Sequence, residues 1–346
     1  MKRAIGEPDA PAGAAISEKA ITQRLAAAGR WRAAEAGFWG FVAASYFAFP
    51  QHHAIMSEIA ILALFALSLD LILGYAGIVS LGHAAFFGFG AYAAGIFSLH
   101  ISPDPLLGLT VVALLSAALG LFTAPLVLRG NDLTRLMVTL AVAIVLEETA
   151  NRLPAYTGGA DGLQGIAMGP LLGLFSFDLS GNTAAAYSVI VLLILFLGAR
   201  RLTASPFGLS LRGIRDNPQR AAALGVPVTS RLTAIYAIAG AFAGVAGALL
   251  AQTNQFVSLD VFSFQRSADL ILVLIIGGAG WLYGALIGAI VFKLMQDILA
   301  SLTAQYWQFW VGLLLVAFVL IGRDRMSDLA SRLRSWRLFQ STEARS

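Results

Sequence analysis

No cysteine occurs anywhere in the 346 residues. Disulfides, thiolate metal sites and cysteine nucleophiles are therefore excluded. Charge is also scarce. Asp, Glu, Lys and Arg make up 12% of the chain, against roughly 25% in soluble domains, too little to dress a soluble surface. A G-x-x-x-x-G-K-[ST] phosphate loop is missing, so ATP hydrolysis by that route is not expected of this chain. Zinc signatures, a serine nucleophile elbow and a dinucleotide fingerprint are missing too. No catalytic residues, no metal site and no bound cofactor are expected.

Apolar residues are abundant, at 58%, with mean hydropathy +0.78. The 35 glycines suit closely packed membrane helices. The expected fold is therefore all-α and polytopic, in a bilayer. Ten apolar segments follow one another: Ala36–Pro50, Ile55–Leu73, Ala84–Ile101, Leu106–Leu128, Leu133–Ala150, Ala184–Ala199, Leu232–Gln252, Ala268–Ile276, Gly280–Leu299 and Tyr306–Ile321. A span needs about 20 residues; Ala268–Ile276 is short and the first segment marginal. About ten transmembrane helices are expected in residues 34–322, between cytoplasmic tails 1–33 and 323–346. No continuous apolar stretch follows Lys2 and Arg3, so the first residues do not read as a secretory signal.

The basic residues orient the chain. With both termini inside, the tails, the turn near Gly130 and the loop Arg200–Arg231 hold all but three of the 23 Lys and Arg, as the positive-inside rule requires. Arg152, Arg266 and Lys293 are left over. This placement, rather than nucleic acid, explains the net charge of +4.

Three segments carry candidate mechanism. In Leu73–Tyr92, Gly74, Gly77 and Gly82 interrupt a helix-length region that also holds Ser80 and His83. A broken helix in lipid is tolerated only when buried in protein or facing a water-filled cavity. Two readings stay open: a discontinuous helix beside a path, or close packing with a tight turn. A second cluster, Gly277, Gly278 and Gly280, lies between half-length apolar stretches; paired glycine breaks point to transporter sites. The third segment is the loop 203–230. There Asn217 suits an N-cap, Pro218 the first helical position and Gly225 the left-handed C-terminal position, which predicts a helix over Pro218–Leu224. Two turns are not stable alone in water, so the helix either docks into a partner or is an incidental turn of a basic loop. Asp70, Glu147, Glu148, Lys293 and Asp297 fall in or near apolar segments, where charge is costly. Lys293 and Asp297, four apart, are expected to pair. His83 reads as a packing or path-lining histidine.

On Gly74-Tyr-Ala-Gly-Ile-Val-Ser-Leu-Gly-His83, Thr157-Gly-Gly-Ala-Asp-Gly162, Leu211-Arg-Gly-Ile-Arg-Asp-Asn217 with Ala223-Leu-Gly225, and Gly277-Gly-Ala-Gly280, the sequence resembles the LivM-type permeases of branched-chain amino acid ABC transporters. The resemblance spans roughly Ile55 to Ile321. It implies a non-enzymatic subunit of a bacterial inner-membrane importer. The implied partners are a second, LivH-type permease, two P-loop ATPases of LivG/LivF type that use the ATP, and an extracytoplasmic solute-binding protein. It also implies that Asp70, Gly74, Tyr75, Gly77, Ser80, Gly82, His83, Gly277, Gly278 and Gly280 border the translocation path. Arg212, Arg215, Asp216, Asn217, Pro218, Arg220 and Gly225 would form the ATPase-coupling element, with Arg215, Asn217 and Arg220 positioning its helix. Ile78 stands where the family often has Gln, and Asp70 where Asn is common. Trp281 and Ala285 replace a small polar residue and a proline, and the coupling helix lacks its usual acid. These departures bear on the solute: relatives move urea, amides or other small polar solutes, and an acid near the path favours a cationic or polar one. An ion-coupled secondary transporter or channel would explain Asp70, Glu147 and Lys293 but not the capped loop helix. A membrane enzyme would need a catalytic constellation that the sequence lacks.

Overall fold

The computed structural model describes residues 33–177, 181–302, 306, 308–313 and 316. Residues 1–32 of the expected N-terminal tail 1–33, the expected tail 323–346 and most of the expected last span lie outside them. Among the described residues the chain is 81% helix with no strands; its β content is two isolated bridges, Leu163 with Val257 and Leu171 with Phe175.

The helices are α1 (Ala33–Ala48), α2 (His53–Asp70), α3 (Ala84–His100), α4 (Pro105–Leu128), α5 (Asp132–Arg152), α6 (Pro154–Thr157), α7 (Asn182–Thr203), α8 (Pro206–Asp216), α9 (Pro218–Ala223), α10 (Val228–Asn254), α11 (Phe264–Gly277) and α12 (Leu282–Leu302). Five helical stretches are long and apolar enough to cross a membrane: Pro50–Tyr75, Pro105–Leu128, Asn182–Thr203, Val228–Asn254 and Leu282–Leu302. The shorter α3 is apolar as well. Each of the first nine expected segments falls on a helix. Those outside the five are short or, like α5, carry several charges. Helix α4 shows the lipid-facing pattern: Leu114, Leu121, Phe122 and Leu126 stay exposed while Gly108, Val112, Ser116 and Gly120 are buried.

Helix α10 forms the core, packed along α4, α3 and α2. Between lipid-soluble helices no hydrophobic force favours association, so close van der Waals approach must supply it. Gly240 and Gly244, one turn apart on α10, meet Phe86 of α3 and Ser116 of α4. Gly247 sits against the carbonyl of Phe87, and Gly90 of α3 against the backbone of Gly244. A Cβ on Gly90 would lie 2.5 Å from the Gly244 Cα, an atom that cannot move aside cheaply. Gly90→Val is therefore expected to cost about 3 kcal/mol or more through overpacking. A large fall in the thermal midpoint of the detergent-solubilised protein would show it; an unchanged midpoint would mean that the α3–α10 contact is looser than this.

The connection between α7 and α10 holds a helix that the sequence reading did not anticipate. Ser205 accepts the Gly208 N–H and Pro206 occupies the first turn, so α8 starts with ordinary capping chemistry. Its Leu211 and Ile214 face inward and Gly213 and Asp216 outward. The expected helix follows as α9, ending at Ala223, one residue before the expected Leu224. The Asn217 side chain accepts the Arg220 N–H at 2.8 Å. Val226 and Gly225 donate to the carbonyls of Ala221 and Ala222, and Gly225 has φ +83°, closing a Schellman turn.

At the opposite end of α10, the Thr157–Gly162 turn anchors the chain. Thr157 Oγ donates to the carbonyls of Ala150 and Leu153. Gly158, Gly159 and Gly162 take positive φ, and Leu163 then bridges to Val257 and packs with Ile166 on Gly95.

Candidate functional site: the glycine junction and the charged cavity

Helix α2 does not end cleanly. After Asp70 the backbone widens into a π-turn, Leu71–Tyr75, an irregularity found mostly at functional sites. Asp70 is fully buried, and its Oδ1 accepts the Gly280 N–H at 2.6 Å. The two glycine clusters of the sequence thus meet. Gly74 has no room for a side chain, because a Cβ there would lie 2.8 Å from the Gly280 Cα. Gly278 and Gly280, at φ +94° and +81°, make the turn from α11 into α12, and Gly277 packs on the backbone of Gly284.

Arg215 closes the junction from α8. Its Nη1 donates to the Gly74 carbonyl at 2.5 Å, across 141 residues of sequence. Gly77, at φ +73°, passes so close that a Cβ would lie 2.8 Å from the Arg215 Cγ. Arg212, one turn back, stands 5.2 Å over the Tyr75 ring. The seven residues expected to couple therefore split. Arg212 and Arg215 reach inward to the glycine break. Asp216, Asn217, Pro218, Arg220 and Gly225 stay exposed on or beside α9, where only Ala221 is buried.

Gly77 and Ile78 still donate back to the carbonyls of Leu73 and Ile72, and from Val79 to Gly82 the chain runs through the interior without helix. Neighbours satisfy its backbone, as a non-aqueous interior demands: Leu81 N–H donates to Thr139 Oγ1 (3.3 Å) and Ala84 N–H to Ser267 Oγ (3.0 Å). Thr139 and Ser267 were not foreseen, since neither sits in a glycine-rich segment. Gly82 lies against the Thr139 carbonyl. His83 is fully buried, stacked on Phe65, with Nε2 2.8 Å from Ser68 Oγ. Ser80 is buried too. Of the expected path residues, Tyr75 borders a cavity, of about 190 Å³, shared with Arg200, Arg212 and Trp281. Asp70, Gly74, Gly82 and His83 are packed inside the chain itself.

A second, larger cavity of about 380 Å³ opens between α2, α3, α10, α11 and α12. Its wall carries Glu58, Asp260, Asp269, Arg266 and Lys293. The expected Lys293–Asp297 pair is not what forms. Lys293 Nζ reaches across to Glu58 Oε2 of α2 at 2.6 Å, because α2 packs on α12, while Asp297 faces outward. Arg266 donates from Nη2 and Nε to Asp260 Oδ2, at 3.0 and 3.2 Å, and Gln265 donates to Asp269 at 2.9 Å. Lys293 and Arg266 are two of the three basic residues that the positive-inside count left over; that remainder was the sequence signal for this site. The third, Arg152, pairs with Glu148 on the exposed end of α5. Among the described residues no cluster of three or more His, Asp or Glu is placed to hold a metal.

The profile of the family described as "Branched-chain amino acid transport system / permease component" matches residues 52–320. The chain belongs to this family. The high-affinity branched-chain amino acid transport permease LivM of Salmonella typhimurium is 27% identical over 277 residues, covering 73% of this chain and 64% of that protein. The Escherichia coli LivM is 26% identical with the same coverage. A probable LivH permease of Methanocaldococcus jannaschii is 27% identical over 252 residues, 69% of this chain and 77% of that one. The matched region thus spans just under two thirds of the two LivM relatives. No solved structure matches. Family membership and the apolar helices make this a multi-pass membrane protein.

Proposed function

We propose that the chain is one permease subunit of an ATP-driven importer for branched-chain amino acids. It would work with a LivH-type permease, two P-loop ATPases and an extracytoplasmic binding protein. In this reading it crosses the inner membrane about ten times in residues 34–322, with cytoplasmic tails and the α8–α9 loop on the ATPase side. Arg129, Arg135, Arg200, Arg201, Arg220 and Arg231, all on connections or helix ends near that loop, support the orientation. Helix α9 would dock in the ATPase: it is short, well capped at both ends and exposed on all but one residue.

The observation that carries the reading is the hydrogen bond from Arg215 to Gly74. It joins the exposed loop directly to the broken end of α2 and, through Asp70 and Gly280, to the α11–α12 turn. A push on α9 is thereby delivered to two membrane segments that glycines have already freed from regular helix. Rigid-body rocking about such breaks is how alternating access operates.

Affinity purification of this chain from mild detergent, with mass spectrometry, tests the assembly beside an Asn217→Ala/Arg220→Glu variant. The wild type should bring down a P-loop ATPase and a second permease. The variant should lose the ATPase, because the cap is worth about 1 kcal/mol and the reversed charge opposes docking. Recovery of the chain alone, from membranes whose uptake follows the proton gradient, would replace this reading with an ion-coupled transporter.

A further inference from the structure

The charged cavity takes no part in the coupling chain from α9 to the glycine junction. We propose that it is the station where the solute rests inside this subunit, and that its charges select a zwitterion. The solute carboxylate is taken by Lys293 and Arg266, and its ammonium by Glu58 and Asp269. This inference rests on the importer reading and names the part of the chain that holds the cargo.

Position comes first. Glu58 lies about 18 Å along α2 from Asp70 at the rise of an α-helix. The cavity therefore lies toward the other end of the bundle from α8–α9, beside the last residue of α10 and the first turn of α11. Ionised groups there are expensive unless paired, and Lys293 and Glu58 are paired at 2.6 Å. Neither is sealed off, since their side chains are 22% and 44% exposed.

Charge balance then selects the ligand. An entering anion would take Lys293 and strand Glu58; an entering cation would take Glu58 and strand Lys293. A zwitterion replaces one ion pair by two and strands neither, which avoids the heavy cost of a lone charge in a poorly solvated site. The cavity also holds more acid than base. Asp260 is matched by Arg266 and Glu58 by Lys293, but Asp269 is held by the neutral amide of Gln265. Arg266 also acts on Asp269, but its hydrogen bonds go to Asp260, so an ammonium beside Asp269 would balance the third acid.

Asn254, Ser263, Gln296 and Gln308 add neutral polar groups to the wall, and Ile61, Leu62, Phe65, Phe87, Leu250 and Phe292 supply its apolar part. Polar groups at one side and aliphatic or aromatic surface at the other fit an amino acid with a hydrocarbon side chain. At 380 Å³ the space is near the small end of ligand pockets, which run from about 300 to 1,000 Å³, so it suits one free amino acid rather than a peptide.

Two measurements on the complete transporter test this. ATP-driven uptake of L-leucine into proteoliposomes, with the binding protein added, tests the importer reading. Equilibrium binding of tritiated L-leucine to the purified permease–ATPase assembly, without binding protein, tests the cavity. L-Leucinamide, which lacks the carboxylate, and 4-methylpentanoate, which lacks the ammonium, serve as competitors. Each should compete about thirtyfold more weakly than leucine, the scale of losing one hydrogen bond to a charged group. Lys293→Met should weaken leucine by a similar factor and erase its advantage over leucinamide. Asp269→Asn should weaken leucine and leucinamide but leave 4-methylpentanoate unchanged, a pattern that a merely structural acid would not produce. Equal competition by all three compounds, or no leucine binding to the wild-type assembly while uptake proceeds, would overturn the cavity assignment alone. Absence of ATP-driven amino acid uptake by the wild type would overturn the importer reading and this inference with it.

Discussion

Replacing Arg215 by Ala should leave the ATPase bound and hydrolysing ATP while uptake falls about thirtyfold or more. The Arg215 side chain is 42% exposed, so the fold does not rest on it, and α9 keeps its own Asn217 cap. What disappears is the tie between the guanidinium and the Gly74 carbonyl. A coupling energy between two sites commonly amounts to about 1–3 kcal/mol, which corresponds to roughly 5–150-fold; loss of this hydrogen bond belongs in the upper part of that range. Arg215→Lys should rescue poorly, because an ammonium is a point charge without the forked donors of a guanidinium. Gly77→Leu attacks the same contact from the other side, through a strained positive φ and a Cβ 2.8 Å from the Arg215 Cγ. Uptake per ATP in proteoliposomes is the readout. An Arg215→Ala transporter with wild-type uptake per ATP would show that coupling runs by another route.

Asp70 separates two roles that one acid could have. Its Oδ1 accepts the Gly280 N–H in a fully buried site. Asp70→Ala leaves that N–H without an acceptor, a loss of about 2 kcal/mol, and removes the strut between the α2 break and the α11–α12 turn. Asp70→Asn keeps an acceptor oxygen in place and should be the milder change. Thermal inactivation of the detergent-solubilised protein should therefore rank wild type, Asn and Ala in that order, with uptake following the same order. Equal damage from Asn and Ala would mean that the negative charge matters, as expected of a solute-binding acid rather than a strut.

Much of the fold was readable before any coordinates. The apolar segments mark the helices because each must be hydrophobic over a bilayer's thickness, a signal local to the chain. The α9 caps were readable for the same reason: Asn217, Pro218 and Gly225 act on their own neighbours. The α8 helix was missed although Ser205-Pro206 is an ordinary start signal, because its amphipathic face has to be told apart from a basic loop.

Side-chain partners were less legible. Lys293 has an acid one turn away in sequence, yet pairs with Glu58 on another helix. Arg215 was assigned to the surface helix that follows it, yet its guanidinium points into the bundle. His83, expected to pack or to line a path, stacks on Phe65 and meets Ser68, both on α2. In each case the deciding neighbour is far off in sequence, and the choice depends on how helices are rotated about their axes.

Composition, hydropathy and local capping residues suffice for the membrane class and the ends of individual helices, since these depend on lipid and on residues within about one turn; the family was legible only as a resemblance at particular motif residues. Which glycines meet, which charges pair and where a polar cavity opens depend on helix packing. Among helices that are apolar on every side, that packing is selected by the fit of small residues against backbone, and no single segment of the sequence carries it.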